Sequence, residues 1–192
     1  MPKNQGFNQS IPRELILRAQ KGHMDAFEQI YREFSTASLS LSYRICGQRA
    51  IAEDCVHEAF VKIMKNIKQF NNKGSFAGWC RRIVTFETIN RVKHLSRLTL
   101  VGDSDLENLT NSSLFDRDWL ANCIDLEKLI MQLSPLSRAV FSLHEIEGYT
   151  HKDIAQMFGK SVSFSKVTLS RAYAKLEQLA IVEKQDDKNA PE

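Results

Sequence analysis

The chain has 192 residues, is 43% hydrophobic and 26% charged, and carries a net charge of +3. This fits a soluble globular chain of one large or two small domains. No apolar run approaches the roughly 18 residues needed to cross a bilayer, no apolar signal segment follows the polar start, and Cys46, Cys55, Cys80 and Cys123 include no Cys-x-x-Cys pair. The expectation is a cytoplasmic protein with reduced, buried thiols, no membrane insertion and no metal.

Helical periodicity dominates the first half. Ile11, Leu15, Ile16 and Ala19 share one face, and Ala26, Phe27, Ile30, Tyr31 and Phe34 repeat the i, i+3, i+4 pattern. Leu39, Tyr43, Ile45 and Cys46 follow, then Ala52, Val56, Ala59, Phe60, Ile63 and Ile67. Sustained alternation with β-branched residues is missing, so no sheet is expected. Asn71-Asn72-Lys73-Gly74-Ser75 reads as a turn or short loop. Helix resumes at Phe76 and runs to about Leu95. Residues 100–118 are polar, acidic and turn-rich, the signature of a linker.

A second helical block starts near Asp118. Ser134-Pro135 is a helix start, with Ser as cap and Pro at the first helical position. That helix carries Ala139, Val140, Leu143 and Ile146 and stops at Gly148. Thr150 caps the next helix, His151–Phe158, with Asp153 three residues on as an acidic capping-box variant. Gly159 ends it, and a longer helix runs to about Ile181, carrying Lys166, Arg171 and Lys175. Two helices joined by a tight glycine turn, the second one basic, form either a DNA-binding helix-turn-helix or an αα-hairpin that binds nothing. The fold expected is all-α: two small helical domains, residues 1–98 and 119–192, joined by an acidic linker, 99–118.

The stretch from Val61 to Arg97 concentrates charge. It holds nine basic residues and a single acid, Glu87, with Phe70, Phe76, Trp79 and Phe86 interleaved. A basic surface that offers aromatic rings suits a polyanion with bases that can be unstacked. A solvated basic helix face over ordinary core aromatics is the alternative.

Specific runs go further. In the first block these are Arg13-Glu14-Leu15, Lys21-Gly22-His23-Met24-Asp25-Ala26-Phe27 and Tyr31, then Gly47-Gln48-Arg49-Ala50-Ile51-Ala52-Glu53-Asp54-Cys55-Val56-His57-Glu58-Ala59-Phe60, then Phe76-Ala77-Gly78-Trp79-Cys80-Arg81-Arg82-Ile83. In the second they are Leu133-Ser134-Pro135-Leu136-Ser137-Arg138-Ala139-Val140-Phe141, Glu147-Gly148-Tyr149-Thr150-His151-Lys152-Asp153-Ile154-Ala155 and Leu169-Ser170-Arg171-Ala172. In this order and spacing, over about residues 11–181, the chain resembles the extracytoplasmic-function (ECF) group of the sigma-70 family of bacterial RNA polymerase sigma factors. The first block resembles sigma region two and the second sigma region four.

The resemblance implies an alternative sigma factor, a non-enzymatic subunit without cofactors. It would bind core RNA polymerase, direct it to promoter DNA and assist melting, and it leaves room for an anti-sigma factor. Core docking would fall to Asp54, His57 and Glu58, with His57 standing where Gln is usual and adding a group that titrates near neutrality. Minus-ten contacts would fall to the loop residues Asn71, Asn72 and Lys73 and to Arg81, Arg82, Asn90, Arg91 and Lys93. Trp79 reads as a strand contact or as core, with core favoured. Phe86 stands where many members have Asn, which leaves its role open. Minus-thirty-five contacts would fall to Lys152, Phe164, Ser165, Lys166, Thr168, Arg171 and Lys175.

The recognition segment departs most from the family. Members commonly read Gly-Thr-Val-Lys-Ser-Arg-Leu, and this chain has Ser163-Phe164-Ser165-Lys166-Val167-Thr168-Leu169. Lys166 survives, Thr168 replaces the usual Arg, and Ser165 replaces the usual buried Val. Phe164 either packs inward or meets a thymine methyl, and Arg171 reaches either a base or a phosphate. In related proteins the connector threads polymerase channels, so an acidic linker would act there as an RNA surrogate or only as a tether. The competing reading is a stand-alone helix-turn-helix regulator, which does not need the Ala-Glu-Asp…Glu-x-Phe run. An enzyme finds no phosphate loop, metal cluster or nucleophile motif in support.

Overall fold

The computed structural model describes residue 7 and residues 10–71, 74–99 and 126–189. Every regular element among them is helical. In chain order these are α1 (Arg13–Gln20), α2 (Met24–Cys46), α3 (Arg49–Asn66), a 3₁₀ turn (Ile67–Gln69), α4 (Phe76–Thr99), α5 (Leu126–Met131), α6 (Pro135–Phe141), a π turn (Ser142–Ile146), α7 (His151–Phe158) and α8 (Val162–Asn189). The chain divides into two compact units, Met1–Arg91 and Val92–Glu192. The acidic connector and the chain on to Ile124 and Asp125, Cys123 included, lie outside the described residues, as do Asn72 and Lys73.

In the first unit α2 is continuous across the two apolar sets that its sequence shows. Phe34, Ser38, Leu41, Ser42 and Ile45 form its buried stripe. The small hydroxyl residues let α4 approach. Ser42 Oγ and Thr88 Oγ1 lie 2.8 Å apart in the core. Thr88 spends its single hydroxyl hydrogen on the Val84 carbonyl at 2.9 Å, so Ser42 donates to Thr88. Ala52, Ala59 and Ile63 of α3 and Cys80, Val84 and Ile89 of α4 are fully buried. Gln20 Nε2 donates to the Ile67 and Phe70 carbonyls, 2.9 Å each. This holds the 3₁₀ turn and the start of the following loop against α1. An aromatic cluster sits beside it: Phe70 meets Phe76 edge-on at 5.1 Å, and both rings lie 5.6 Å from Trp79.

Cys46, Cys55 and Cys80 are buried thiols that form no disulfide among the described residues. Burial, then the neighbouring Cys46 thiol and the Glu58 carboxylate, push the Cys55 thiol up to about 12, and burial alone pushes Cys80 up. Both are therefore protonated packing groups rather than nucleophiles.

In the second unit Ser134 caps α6, its side chain accepting from the Ser137 N–H at 3.3 Å, with Pro135 in the first turn. Buried Arg138 donates to the Met131 carbonyl at 2.9 Å. Thr150 and Asp153 form a reciprocal capping box. Gly159 leaves α7 at φ +64°, a backbone angle that favours glycine. Ser161 Oγ accepts from the Phe164 N–H at 3.2 Å and caps α8. The core is built on Leu129, Val140, Phe141, Leu143, Ile154 and Leu176, with Phe141 meeting Tyr173 edge-on at 5.6 Å. One expectation changes here. The helix from Pro135 does not run regularly to Gly148. It widens into the π turn after Phe141, which carries the His144 ring to 4.3 Å from His151.

Candidate nucleic-acid interface and docking face

Helix α3 buries Ala52, Cys55, Val56, Ala59, Phe60 and Ile63. The 3.6-residue period then leaves Asp54, His57 and Glu58 together on the exposed side. Glu53 is tied to Arg49 at 2.9 Å. Among the described residues none hydrogen-bonds or ion-pairs with Asp54, His57 or Glu58. The result is a solvent-facing patch with two uncompensated carboxylates. Further along the same helix the exposed side turns basic at Lys62 and Lys65.

Helix α4 buries Phe76, Ala77, Cys80, Val84, Thr88 and Ile89. Its other side carries Trp79, Arg82, Ile83, Phe86, Glu87 and Asn90 in an i, i+3, i+4 stripe. With Lys62 and Asn66 of α3 this stripe walls an open groove of about 310 Å³. Trp79 is half-buried, touching the Phe70–Phe76 cluster while also lining the groove. It is thus both core and surface. The Arg82 guanidinium lies 5.6 Å from the centroid of the half-buried Phe86 ring. Asn71, Arg82, Asn90 and Arg91 are exposed, and Arg81 is half-buried. Lys93 falls beyond the unit boundary, where its Nζ donates to the Met157 carbonyl at 2.7 Å. Sequence reasoning left Phe86 open and passed over Lys62, Asn66 and Glu87 as partners in one groove. The α4 stripe was the available signal.

In the second unit α8 buries Ser165, Thr168, Leu169, Ala172, Tyr173 and Leu176. Ser165 is fully enclosed, with its Oγ 3.0 Å from His151 Nδ1, and Thr168 is 7% exposed. Both therefore sit on the packing face of the helix instead of the open one where sequence reasoning had put them. A small polar residue fits at Ser165 because the His151 ring lies against it and shares a hydrogen bond with its hydroxyl. Phe164 leans on Phe158, centroids 5.8 Å apart, and is half-buried. The open face presents Ser163, Lys166 and Val167, with Arg171 half-buried and Lys175 exposed further along. Lys152 is exposed near the start of α7. Val167, 46% exposed beside Lys166, was missed.

Behind that face His144 and His151 stack, and His144 Nδ1 lies 2.9 Å from Glu145 Oε1. Burial first, then His144 and the Lys166 ammonium, lower the pKa of His151, while Glu145 acts in the opposite direction. The balance favours the neutral form of His151.

A capped two-helix unit with a basic open face on its second helix is a helix-turn-helix, and the unit before it carries a basic aromatic groove beside an acidic patch. Two family models match the chain. Sigma-70 region 2 spans residues 30–98 and Sigma-70, region 4 spans residues 123–176, together more than half of the sequence. The chain therefore belongs to the sigma-70 family. Several of its relatives are ECF RNA polymerase sigma factors. It is 24% identical over 159 residues to the ECF RNA polymerase sigma factor SigE of Mycolicibacterium smegmatis, a match that covers 80% of this chain and 61% of that protein. It is 27% identical over 183 residues to the ECF RNA polymerase sigma factor BldN of Streptomyces coelicolor, covering 86% and 64%. The chain thus spans a little over three fifths of the length of these two relatives. Its fold is similar to that of the sigma factor RpoE in its complex with the anti-sigma factor NepR from Bartonella quintana, with TM-score 0.51 and 22% identity over 81% of this chain and 97% of that one. Among the described residues no helix is long and apolar enough to cross a membrane.

Proposed function

We propose that this chain is an alternative RNA polymerase sigma factor, a non-enzymatic cytoplasmic subunit that brings core polymerase to a subset of promoters. In this reading the exposed acids Asp54 and Glu58, with His57 between them, dock on core polymerase. The groove and exposed side of α4 receive the non-template strand of the melted element, where Arg82 and Arg91 meet phosphates and the rings take bases. The open face of α8, led by Lys166, enters the major groove upstream. The partners are core polymerase, double-stranded and melted promoter DNA and, by analogy with the RpoE–NepR complex, an anti-sigma factor. The observation that carries the proposal is the separation of charge on α3: an unpaired acidic patch and a basic aromatic groove share one helix within the stretch that matches sigma-70 region 2.

The test is reconstitution with core polymerase, followed by run-off transcription on genomic fragments. Reversing Asp54 and Glu58 to Lys should weaken core binding at least tenfold and leave thermal unfolding unchanged, because both side chains are exposed. Unaltered affinity for core would remove the docking assignment. Wild-type protein that binds specific DNA tightly without polymerase would favour a stand-alone regulator.

A further inference from the structure

Gln20 is the last residue of α1, and its half-buried side chain reaches carbonyls 47 and 50 residues further along the chain. Its Nε2 carries two hydrogens and meets the Ile67 and Phe70 carbonyls at 2.9 Å each. The Ile67 carbonyl also accepts from the Phe70 N–H at 3.2 Å. The Phe70 carbonyl has Gln20 as its one donor among the described residues. At Phe70 the chain leaves the 3₁₀ turn with extended backbone, φ −70° and ψ 109°. The buried Phe70 ring is fixed by Phe76 and Trp79, but ring contacts leave ψ of Phe70 free to turn. The Gln20 bond fixes it. Because a peptide unit is planar, holding the Phe70 carbonyl also holds the nitrogen and Cα of Asn71, the first residue of the loop. The far end is held separately, where Ser75 Oγ accepts from the Gly78 N–H at 3.3 Å.

Asn71 is exposed, so its exact direction matters little to the core. A base contact is more demanding: its atoms must be held to within about 0.5 Å, and by groups that are themselves fixed. The Asn side chain carries a donor and an acceptor side by side, and a small turn of the backbone beneath it takes both off a base edge. Gln20 is suited to prevent that turn and unsuited to touch DNA with the same amide, since both its hydrogens go to protein carbonyls. We propose that Gln20 is a positioning residue for promoter selection: by fixing the Phe70–Asn71 peptide it aims Asn71, and so sets the base preference at the position that Asn71 meets. The inference rests on the strand-binding role proposed above and adds to it a residue of α1.

The assay is binding of the reconstituted holoenzyme to fork templates in which each non-template position is varied. It is read as the affinity ratio of the favoured base to the others, well below the unfolding midpoint of every variant. Wild type should show one position with a ratio of about tenfold, as one good base contact allows, that Asn71→Ala lowers. Gln20→Met, similar in length and without a donor, should lower the ratio at that same position below about threefold. Its salt dependence should stay that of wild type, because no phosphate contact is touched. Gln20→Glu, the same shape with an acceptor where the donor stood, should do likewise. Gln20→Lys restores a donor and should restore the ratio, which is blind to any uniform gain from the added charge. Gln20→Met combined with Asn71→Ala should lose no more than either alone, since both act on one contact. Wild-type ratios in the Met and Glu variants, with only a lower unfolding midpoint, overturn the inference and leave Gln20 a structural residue. A loss spread evenly over every base, or one that adds to the loss in Asn71→Ala, overturns it as well. In those cases the strand-binding role stands. Wild-type holoenzyme insensitive to every non-template base refutes that role and this inference together.

Discussion

Ser165 and Lys166 are neighbours in sequence and opposites in the fold, so substituting each should separate stability from recognition. Ser165 is fully buried and its hydroxyl meets His151 Nδ1 at 3.0 Å. Ser165→Ala removes one buried hydrogen bond, with a net cost of about 0.5–1.5 kcal/mol. For a unit of this size that corresponds to a fall of roughly 2–12 °C in its unfolding midpoint. Lys166 is exposed on the open face, so Lys166→Ala should leave the midpoint within about 0.5 kcal/mol of wild type. On DNA the order reverses. One lost phosphate contact lowers the slope of log K against log salt by about 0.9. Over a fourfold salt increase, from about 50 to 200 mM, the Lys166→Ala protein should therefore lose roughly 3.5-fold less affinity than wild type does. Ser165→Ala should keep the wild-type slope. The assay is salt-titrated binding of holoenzyme to a promoter fragment, paired with thermal unfolding of the free chain. A slope changed by Ser165→Ala and untouched by Lys166→Ala would mean that α8 presents another face, and the assignment of its open side would fail.

Two further outcomes follow from the second unit. His151 has a folded-state pKa lowered from its ordinary 6.5, so the native state binds its proton less readily than the unfolded chain. The stability this gives is present above about pH 6.5 and is lost as pH falls through the lowered value. Thermal unfolding between about pH 7.5 and 5 should show that decline, and His151→Gln should flatten it; an unflattened decline would assign it to another group. The Thr150–Asp153 box supplies two backbone bonds of 3.2 Å at the start of α7. Thr150→Ala should cost about 1 kcal/mol, read as a midpoint shift, and no shift would make the box energetically idle.

Where sequence periodicity and capping chemistry act locally, the fold was legible. Ser134, Thr150 and Gly159 mark element ends because each meets a local backbone requirement that depends on nothing distant. The exposed acid stripe on α3 followed for the same reason, since burying Ala52, Val56, Ala59 and Ile63 leaves Asp54, His57 and Glu58 one side to face. What stayed hidden depends on register or on a second element. The π turn after Phe141 adds a residue to a helical turn, and that extra residue lets His144 reach His151. The stacked ring in turn explains Ser165 as a buried partner, where the resemblance had counted it among the DNA contacts. The groove was hidden differently: its α4 wall is a readable stripe, but Lys62 and Asn66 join it only through packing of α3 on α4.

The charge pattern of α3 bears on how two partners can share one helix. From Asp54 to Lys65 is eleven residues, about 16 Å along the axis at 1.5 Å per residue. At physiological salt the screening length is about 8 Å, so Asp54 lies about two screening lengths from Lys65, and Glu58, about 10 Å from it along the axis, a little over one. Exposed carboxylates at that separation repel a DNA strand over α4 only weakly. Basic residues likewise disturb a basic docking partner at Asp54 and Glu58 very little. Lys62 falls between the two ends, and its ion pair with Glu87, 2.6 Å long, joins α3 to the groove. In the proposed reading, polymerase docking and strand binding can then proceed together on one element, each addressing its own end, with Glu87 held where the two helices meet.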